Sequence, residues 1–272
     1  TPVMNHAASD HDIDHEGLAR RLDRALESLA PIPPLSQAFG LTSIEDAYRV
    51  QTAWDAIRRA KGESIMGRKI GLTSQAVRDQ FGVDEPDFGN LWSSRHVVLR
   101  SGRASVDTAT FLQPRIEAEF AFLMGGSLPP GEVTAADVIA VTEAVAPAFE
   151  IVDSRIADWR ISITDTIADN ASFGAFAVSD WRSGMQADEL DQVQLAVRHN
   201  GSIAAKGLGA AAMGHPANAV TWLANRLRAF GVELEPGDVV MSGSVAPMVS
   251  VASGDEFALE VDGRAVVELS FV

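Results

Sequence analysis

Three glutamates and a lysine carry the chemistry that can be read first in this chain. Glu117 and Glu119 stand two residues apart in Arg115-Ile116-Glu117-Ala118-Glu119-Phe120-Ala121-Phe122. The run alternates, with Ile116, Ala118, Phe120 and Phe122 on one face and both glutamates on the other. On a strand such spacing is about 6.6 Å. Like charges so placed repel unless the face is solvated or a cation lies between them. A half-exposed strand with a polar outer face is the plain reading of Glu-x-Glu. Glu150 points the other way, because it sits in the apolar stretch 144–152, where a lone buried carboxylate is costly. Three oxygen ligands from two strands suit a hard divalent ion such as Mg²⁺ or Mn²⁺. Spacing alone leaves both readings open. Lys69, in Arg68-Lys69-Ile70-Gly71-Leu72-Thr73-Ser74, also has two readings: it snorkels among apolar neighbours or pairs with an anionic substrate.

Other chemistries fall away. The 272 residues contain no cysteine, which removes disulfides, thiolate nucleophiles and iron–sulfur clusters. A net charge of −15 argues against nucleic acid, which requires a basic stripe. Gly207-Leu208-Gly209-Ala210-Ala211-Ala212 fits a loose dinucleotide fingerprint, but the next helix starts only near Pro216, so the glycines do not open it. Asp87-Phe88-Gly89 lacks the companion motifs of a kinase. No nucleophile elbow and no phosphate-binding loop is present. The most apolar stretch, 138–152, is interrupted by Glu143, Pro147 and Glu150 and falls short of the ~20 residues of a membrane span. Without an export signal, a large disulfide-free chain reads as cytoplasmic.

The elements that must hold these residues are mixed. Residues 1–15, with His6, His11 and His15 among Asp10, Asp12 and Asp14, read as a polar disordered tail and not as a metal site. Residues 16–90 read as mainly helical. Asp14 caps a helix with Leu18, Leu22, Leu26 and Leu29 inward, and Ser43 with Asp46 opens a second that buries Val50 and Trp54. The proline-rich run 31–42 between them is the one internal linker. Residues 91–272 read as a strand-rich catalytic domain, with strands at 116–124, 148–152, 173–178, 193–198 and 239–241. A closing hairpin turns at Asp262-Gly263. One long helix interrupts this half, from Pro216 to a stop at Gly231. Clustered strands with few intervening helices indicate an α+β fold with a mixed or antiparallel sheet.

Several segments together resemble a known family. They are Lys69-Ile70-Gly71-Leu72-Thr73-Ser74, Gly82 through Gly89, Gln113 through Glu119, Pro147 through Ile156, Asp169-Asn170-Ala171-Ser172, Gly214 through Ala219, and Ser242 through Val249. In this order they are similar to the 2-keto-4-pentenoate (2-hydroxypenta-2,4-dienoate) hydratases of the fumarylacetoacetate-hydrolase-like superfamily. The resemblance implies a mixed β-sheet roll with flanking helices and a divalent-metal hydro-lyase of aromatic meta-cleavage catabolism. It makes Glu117, Glu119 and Glu150 the ligands of Mg²⁺ or Mn²⁺. Lys69 and Asp87 fall at catalytic positions, and Ser172 and Ser244 at substrate-binding ones.

The implied reaction adds water to a small anionic 2-hydroxy-2,4-dienoate, giving a 4-hydroxy-2-oxoacid. The dienol ketonises by protonation at C5, and water then adds at C4. Lys69 would bind the anion and shuttle protons, Asp87 would act as acid and base, and Ser172 would hydrogen-bond substrate or water. Two rivals remain. The 4-oxalocrotonate decarboxylases resemble the hydratases; Pro247-Met248-Val249 is hydratase-like, whereas Ser244-Val245-Ala246 departs from the hydratases' Ala-Leu-Gly. A non-catalytic partner subunit is the second, against which the intact lysine, aspartate and glutamates speak. A C–C hydrolase would need a histidine near the metal, and His96, His199 and His215 lie in none of the ligand segments. The resemblance further implies a homo-oligomer and association with a decarboxylase or aldolase of the pathway.

Overall fold

The computed structural model describes residues 12–272. Asp14 caps α1 (His15–Ser28), its carboxylate accepting from the Gly17 N–H at 2.8 Å. His6 and His11 lie outside the described residues, but His15 belongs to α1, and its Nε2 lies 2.8 Å from Asp46 Oδ1. The expected tail 1–15 thus overlaps the start of α1. The run 31–42 is no free linker: it folds into α2 (Leu35–Phe39) and buries Leu35 and Leu41 completely. Ile32 exchanges backbone hydrogen bonds with Arg155 and Ala157, tying the run to the later half of the chain. Ser43 then caps α3 (Ile44–Ala60), which packs on α1 and buries Val50 and Trp54.

Two sheets follow. In chain order the elements are β1 (Ile65–Gly71), α4 (Gln75–Phe81), β2 (Asp87–Trp92), β3 (Arg103–Val106), β4 (Arg115–Met124), α5 (Ala135–Val141), β5 (Thr142–Val152), α6 (Ile163–Ala168), β6 (Phe173–Val178), β7 (Gln194–His199), β8 (Ser202–Leu208), α7 (Pro216–Ala229), β9 (Val239–Met241), β10 (Val249–Ser250), β11 (Glu256–Val261) and β12 (Arg264–Phe271). The larger sheet has the order β2-β1-β9-β4-β5-β6, with β10 beside β4, and the smaller β3-β12-β11-β7-β8. The β1–β9 and β3–β12 pairs are parallel and the rest antiparallel, so both sheets are mixed and the class is α+β. β4 meets β7, and β5 meets β11 and β12. Phe120, Phe122, Phe149, Phe257 and Phe271 are buried in the core.

The expected line between residues 90 and 91 runs through β2, whose Asn90 pairs with Arg68 of β1. β1 and β2 belong to the same sheet as β4, so the helical N-terminal third and the strand-rich remainder share one sheet. Local sequence could not show this, since β1 finds its other neighbour at β9, far along the chain. The hairpin turns follow their sequence signals. Asn200-Gly201 and Asp262-Gly263 all have positive φ, as a type I′ turn demands. Gly207 and Gly209 serve close packing: a Cβ on either would lie within 2 Å of a backbone oxygen, of Val245 and Leu190 respectively. Among the described residues no helix is long and apolar enough to cross a membrane.

Candidate active site

β4 and β5 pair so that Glu117 stands directly opposite Glu150, with Glu119 one pleat further along the same face. One carboxylate oxygen from each of the three lies within 4.8 Å of the others. Glu119 and Glu150 are completely buried, and Glu117 is partly exposed. Directly opposed like charges are destabilising. The polar atoms show what is missing: Glu119 Oε1 and Glu150 Oε2 are buried without a partner, and Glu150 Oε1 has only the Lys69 ammonium at 3.1 Å. Glu119 Oε2 alone is held, by the Gly243 N–H at 2.9 Å. Burial, then the Glu150 charge, pushes the Glu117 carboxyl up to about 7 and that of Glu119 well above its ordinary range. An oxygen-only donor set with unpartnered, mutually repelling oxygens fits a hard divalent cation.

Lys69 and Asp87 come from β1 and β2, which lie across β9 from β4. Lys69 is opposite Gly89, and Asp87 opposite Gly71, so all four share one face. Gly71 is required there, because a Cβ would sit 2.3 Å from Asp87 Oδ1. Lys69 Nζ donates to the Ala171 carbonyl at 2.7 Å and lies 3.1 Å from Glu150 Oε1. Burial disfavours its charge, but Glu150, Asp87, Glu117 and Glu119 together outweigh that and raise its pKa. These carboxylates thus favour the charged form of Lys69. Asp87 is buried with Oδ1 unpartnered, and burial raises its carboxyl to about 6 against the pull of Lys69.

The two serines are placed differently. Ser172 is buried in a left-handed conformation, with Oγ 3.1 Å from Thr166 Oγ1. The Ser244 hydroxyl donates to Ala246 O at 2.6 Å, inside its own loop. The loop meets the cluster through its backbone, at Gly243. That contact, like the Ala171 carbonyl, is a backbone group that no residue type announces. Arg115 was also not singled out, although it shares the face of Glu117 and Glu119. Its guanidinium stacks on Trp159 at 4.4 Å and reaches Met248 Sδ at 3.6 Å. The histidines lie elsewhere: His215 caps α7, His96 stacks on Phe176, and His199 stacks on Phe257 beside Asp255. Two cavities, of about 330 and 1150 Å³, lie away from Glu117, Glu119 and Glu150.

A buried carboxylate triad in a rolled mixed sheet defines a class. The family model described as fumarylacetoacetate (FAA) hydrolase C-terminal matches residues 70–271. A solved structure of 4-oxalocrotonate decarboxylase from Pseudomonas putida G7, complexed with magnesium and adipate, superposes with a TM-score of 0.88. It is 31% identical, covering 95% of this chain and 97% of that one. The 2-hydroxyhexa-2,4-dienoate hydratase of Comamonas testosteroni is 43% identical over 257 residues, 94% of this chain and 97% of its own. The 2-keto-4-pentenoate hydratase of Paraburkholderia xenovorans is 38% identical, covering 94% of each chain. The chain belongs to the fumarylacetoacetate hydrolase family and, within it, to the 2-keto-4-pentenoate hydratases.

Proposed function

We propose that this protein is a divalent-metal-dependent hydro-lyase that adds water to a short 2-hydroxy-2,4-dienoate in aromatic meta-cleavage catabolism. The observation that carries the reading is the Glu117–Glu119–Glu150 cluster facing Lys69 and Asp87, in a chain whose relatives at 37–43% identity over most of its length are such hydratases. The three glutamates would hold Mg²⁺ or Mn²⁺, which would supply Lewis acidity toward the substrate's carboxylate end. Lys69 adds fixed positive charge beside that carboxylate, which a protein of net charge −15 otherwise repels. Asp87, with its carboxyl near 6, holds a proton for C5 and accepts one from the water that adds at C4. Ser172 orients substrate or water from the turn beside Lys69. Ser244 shapes the loop at the substrate's distal end, its hydroxyl being committed to Ala246.

The reaction balances as dienol plus water giving the 4-hydroxy-2-oxoacid, with no redox partner. A 4-oxalocrotonate decarboxylase is the second reading, favoured by the close superposition on that enzyme. Incubation with 2-hydroxypenta-2,4-dienoate and, separately, 2-oxohex-3-enedioate decides between them. The hydratase reading expects loss of the dienoate with water incorporated and no CO₂ from the diacid; CO₂ release without hydration overturns it. The family resemblance extends the reading to a cytoplasmic homo-oligomer that associates with a pathway decarboxylase or aldolase. Light scattering, cell fractionation and co-purification check those three points.

A further inference from the structure

Asn170, Ala171 and Ser172 form three successive left-handed residues, with φ of 53°, 50° and 56° and no glycine among them. A single left-handed asparagine is ordinary; a run of three that includes an alanine is strained and persists only where its surroundings impose it. What imposes it is visible. The Asn170 side chain pairs with the backbone of Asn90 in β2: Asn90 N–H donates to Oδ1 at 2.7 Å, and Nδ2 donates to Asn90 O at 3.0 Å. β2 is an edge strand of the sheet, so the Asn170 amide takes the place of a neighbouring strand. Gly89 lets the turn lie flat, since a Cβ there would meet the Asn170 carbonyl at 2.4 Å. Buried Arg155 brackets the turn, donating to the carbonyls of Asp169 at 2.7 Å and Phe173 at 2.6 Å.

We infer that Asn170 is a positioning residue for Lys69. The clamp aims the Ala171 carbonyl, and that carbonyl accepts the one hydrogen bond Lys69 Nζ makes. One ammonium proton is thereby fixed, and the other two are directed to Glu150 and to the substrate. This rests on the hydratase reading for its catalytic consequence, and on geometry alone for the orientation of Lys69.

The test is Asn170→Gly, which tolerates the left-handed backbone but lacks the amide. A displacement of about 1 Å at Lys69 is expected to lower kcat roughly 10- to 100-fold, with KM for the dienoate within about threefold. Mn²⁺ affinity, read by isothermal titration, stays within about twofold, because the glutamates are untouched. Asn170→Asp keeps an acceptor for the Asn90 N–H but sets an oxygen against the Asn90 carbonyl, and does not restore the rate. In the crystal structure of Asn170→Gly, Lys69 Nζ leaves the Ala171 carbonyl. Unchanged kcat with Lys69 still bonded to Ala171 overturns the inference. So does a parallel loss of kcat, KM, metal affinity and melting temperature, which would mark a purely structural role. Should the wild-type enzyme itself fail to hydrate dienoates, the hydratase reading falls, and the crystallographic comparison still decides where Asn170 holds Lys69.

Discussion

Glu119 shows at the residue scale why the site costs stability without its cation. Its Oε1 is buried without a partner, and its carboxyl is pushed up by burial and by Glu150. Glu119→Gln is therefore expected to lower kcat by at least about 100-fold, some 2.7 kcal/mol of barrier. The metal-free variant should melt no lower than the metal-free wild type, which calorimetry checks. Gly71→Ala makes a second point: the new Cβ would lie 2.3 Å from Asp87 Oδ1 and displace that carboxylate. A fall in kcat of about 10-fold or more, with Mn²⁺ affinity retained, is the expected outcome of paired kinetics and titration. The glutamates were legible because strand periodicity put Glu117 and Glu119 on one face and an apolar context made Glu150 conspicuous. Lys69 was conspicuous as a cation among apolar neighbours but open to two readings, and Asp87 and Ser172 stood out only through family resemblance. The Ala171 carbonyl, the Gly243 N–H and the Asn170 clamp were not legible, since backbone groups and amide pairings leave no mark on residue type.

Elements with their own punctuation were read correctly. Asp14 and Ser43 cap α1 and α3, Pro216 opens α7, and Asp262-Gly263 turns the closing hairpin. Elements defined by distant partners were not. The 31–42 run looked like a linker because prolines break helices, but its stability comes from across the fold. Asp165 of α6 accepts from Ser36 N–H at 2.8 Å and Ser36 Oγ at 2.7 Å while also completing the capping box with Ser162. This fully buried carboxylate fastens α2 to α6. Asp165→Ala removes these bonds and leaves partly buried donors on Ser36 and Ser162 unpaired, at a cost of about 2 kcal/mol, to be read as a lowered urea midpoint. Activity of the folded fraction should persist, because Asp165 has no contact with the glutamates. The boundary expected at residue 90 failed for the same reason as the linker: β2 belongs to a sheet assembled from strands up to Ser250.

Over the whole molecule, a net charge of −15 and a buried anionic cluster make stability depend jointly on pH and metal. Glu117 near 7, Asp87 near 6 and the raised Glu119 hold protons more tightly folded than unfolded. Their contribution to stability is present at pH below the ordinary carboxylate values and is lost as pH rises through the folded ones. The metal-free protein should thus lose melting temperature between about pH 4 and 7, while the rise produced by saturating Mn²⁺ grows over the same window. A metal-induced shift that is flat with pH would remove these groups from the cation site. The central claim is that Glu117, Glu119 and Glu150 hold the cation on which dienoate hydration depends. Its most direct test is hydration of 2-hydroxypenta-2,4-dienoate by EDTA-stripped enzyme before and after Mg²⁺ or Mn²⁺ is restored. The account predicts negligible turnover when stripped and recovery on metal addition in the wild type but not in Glu119→Gln; full turnover by the stripped enzyme would contradict it.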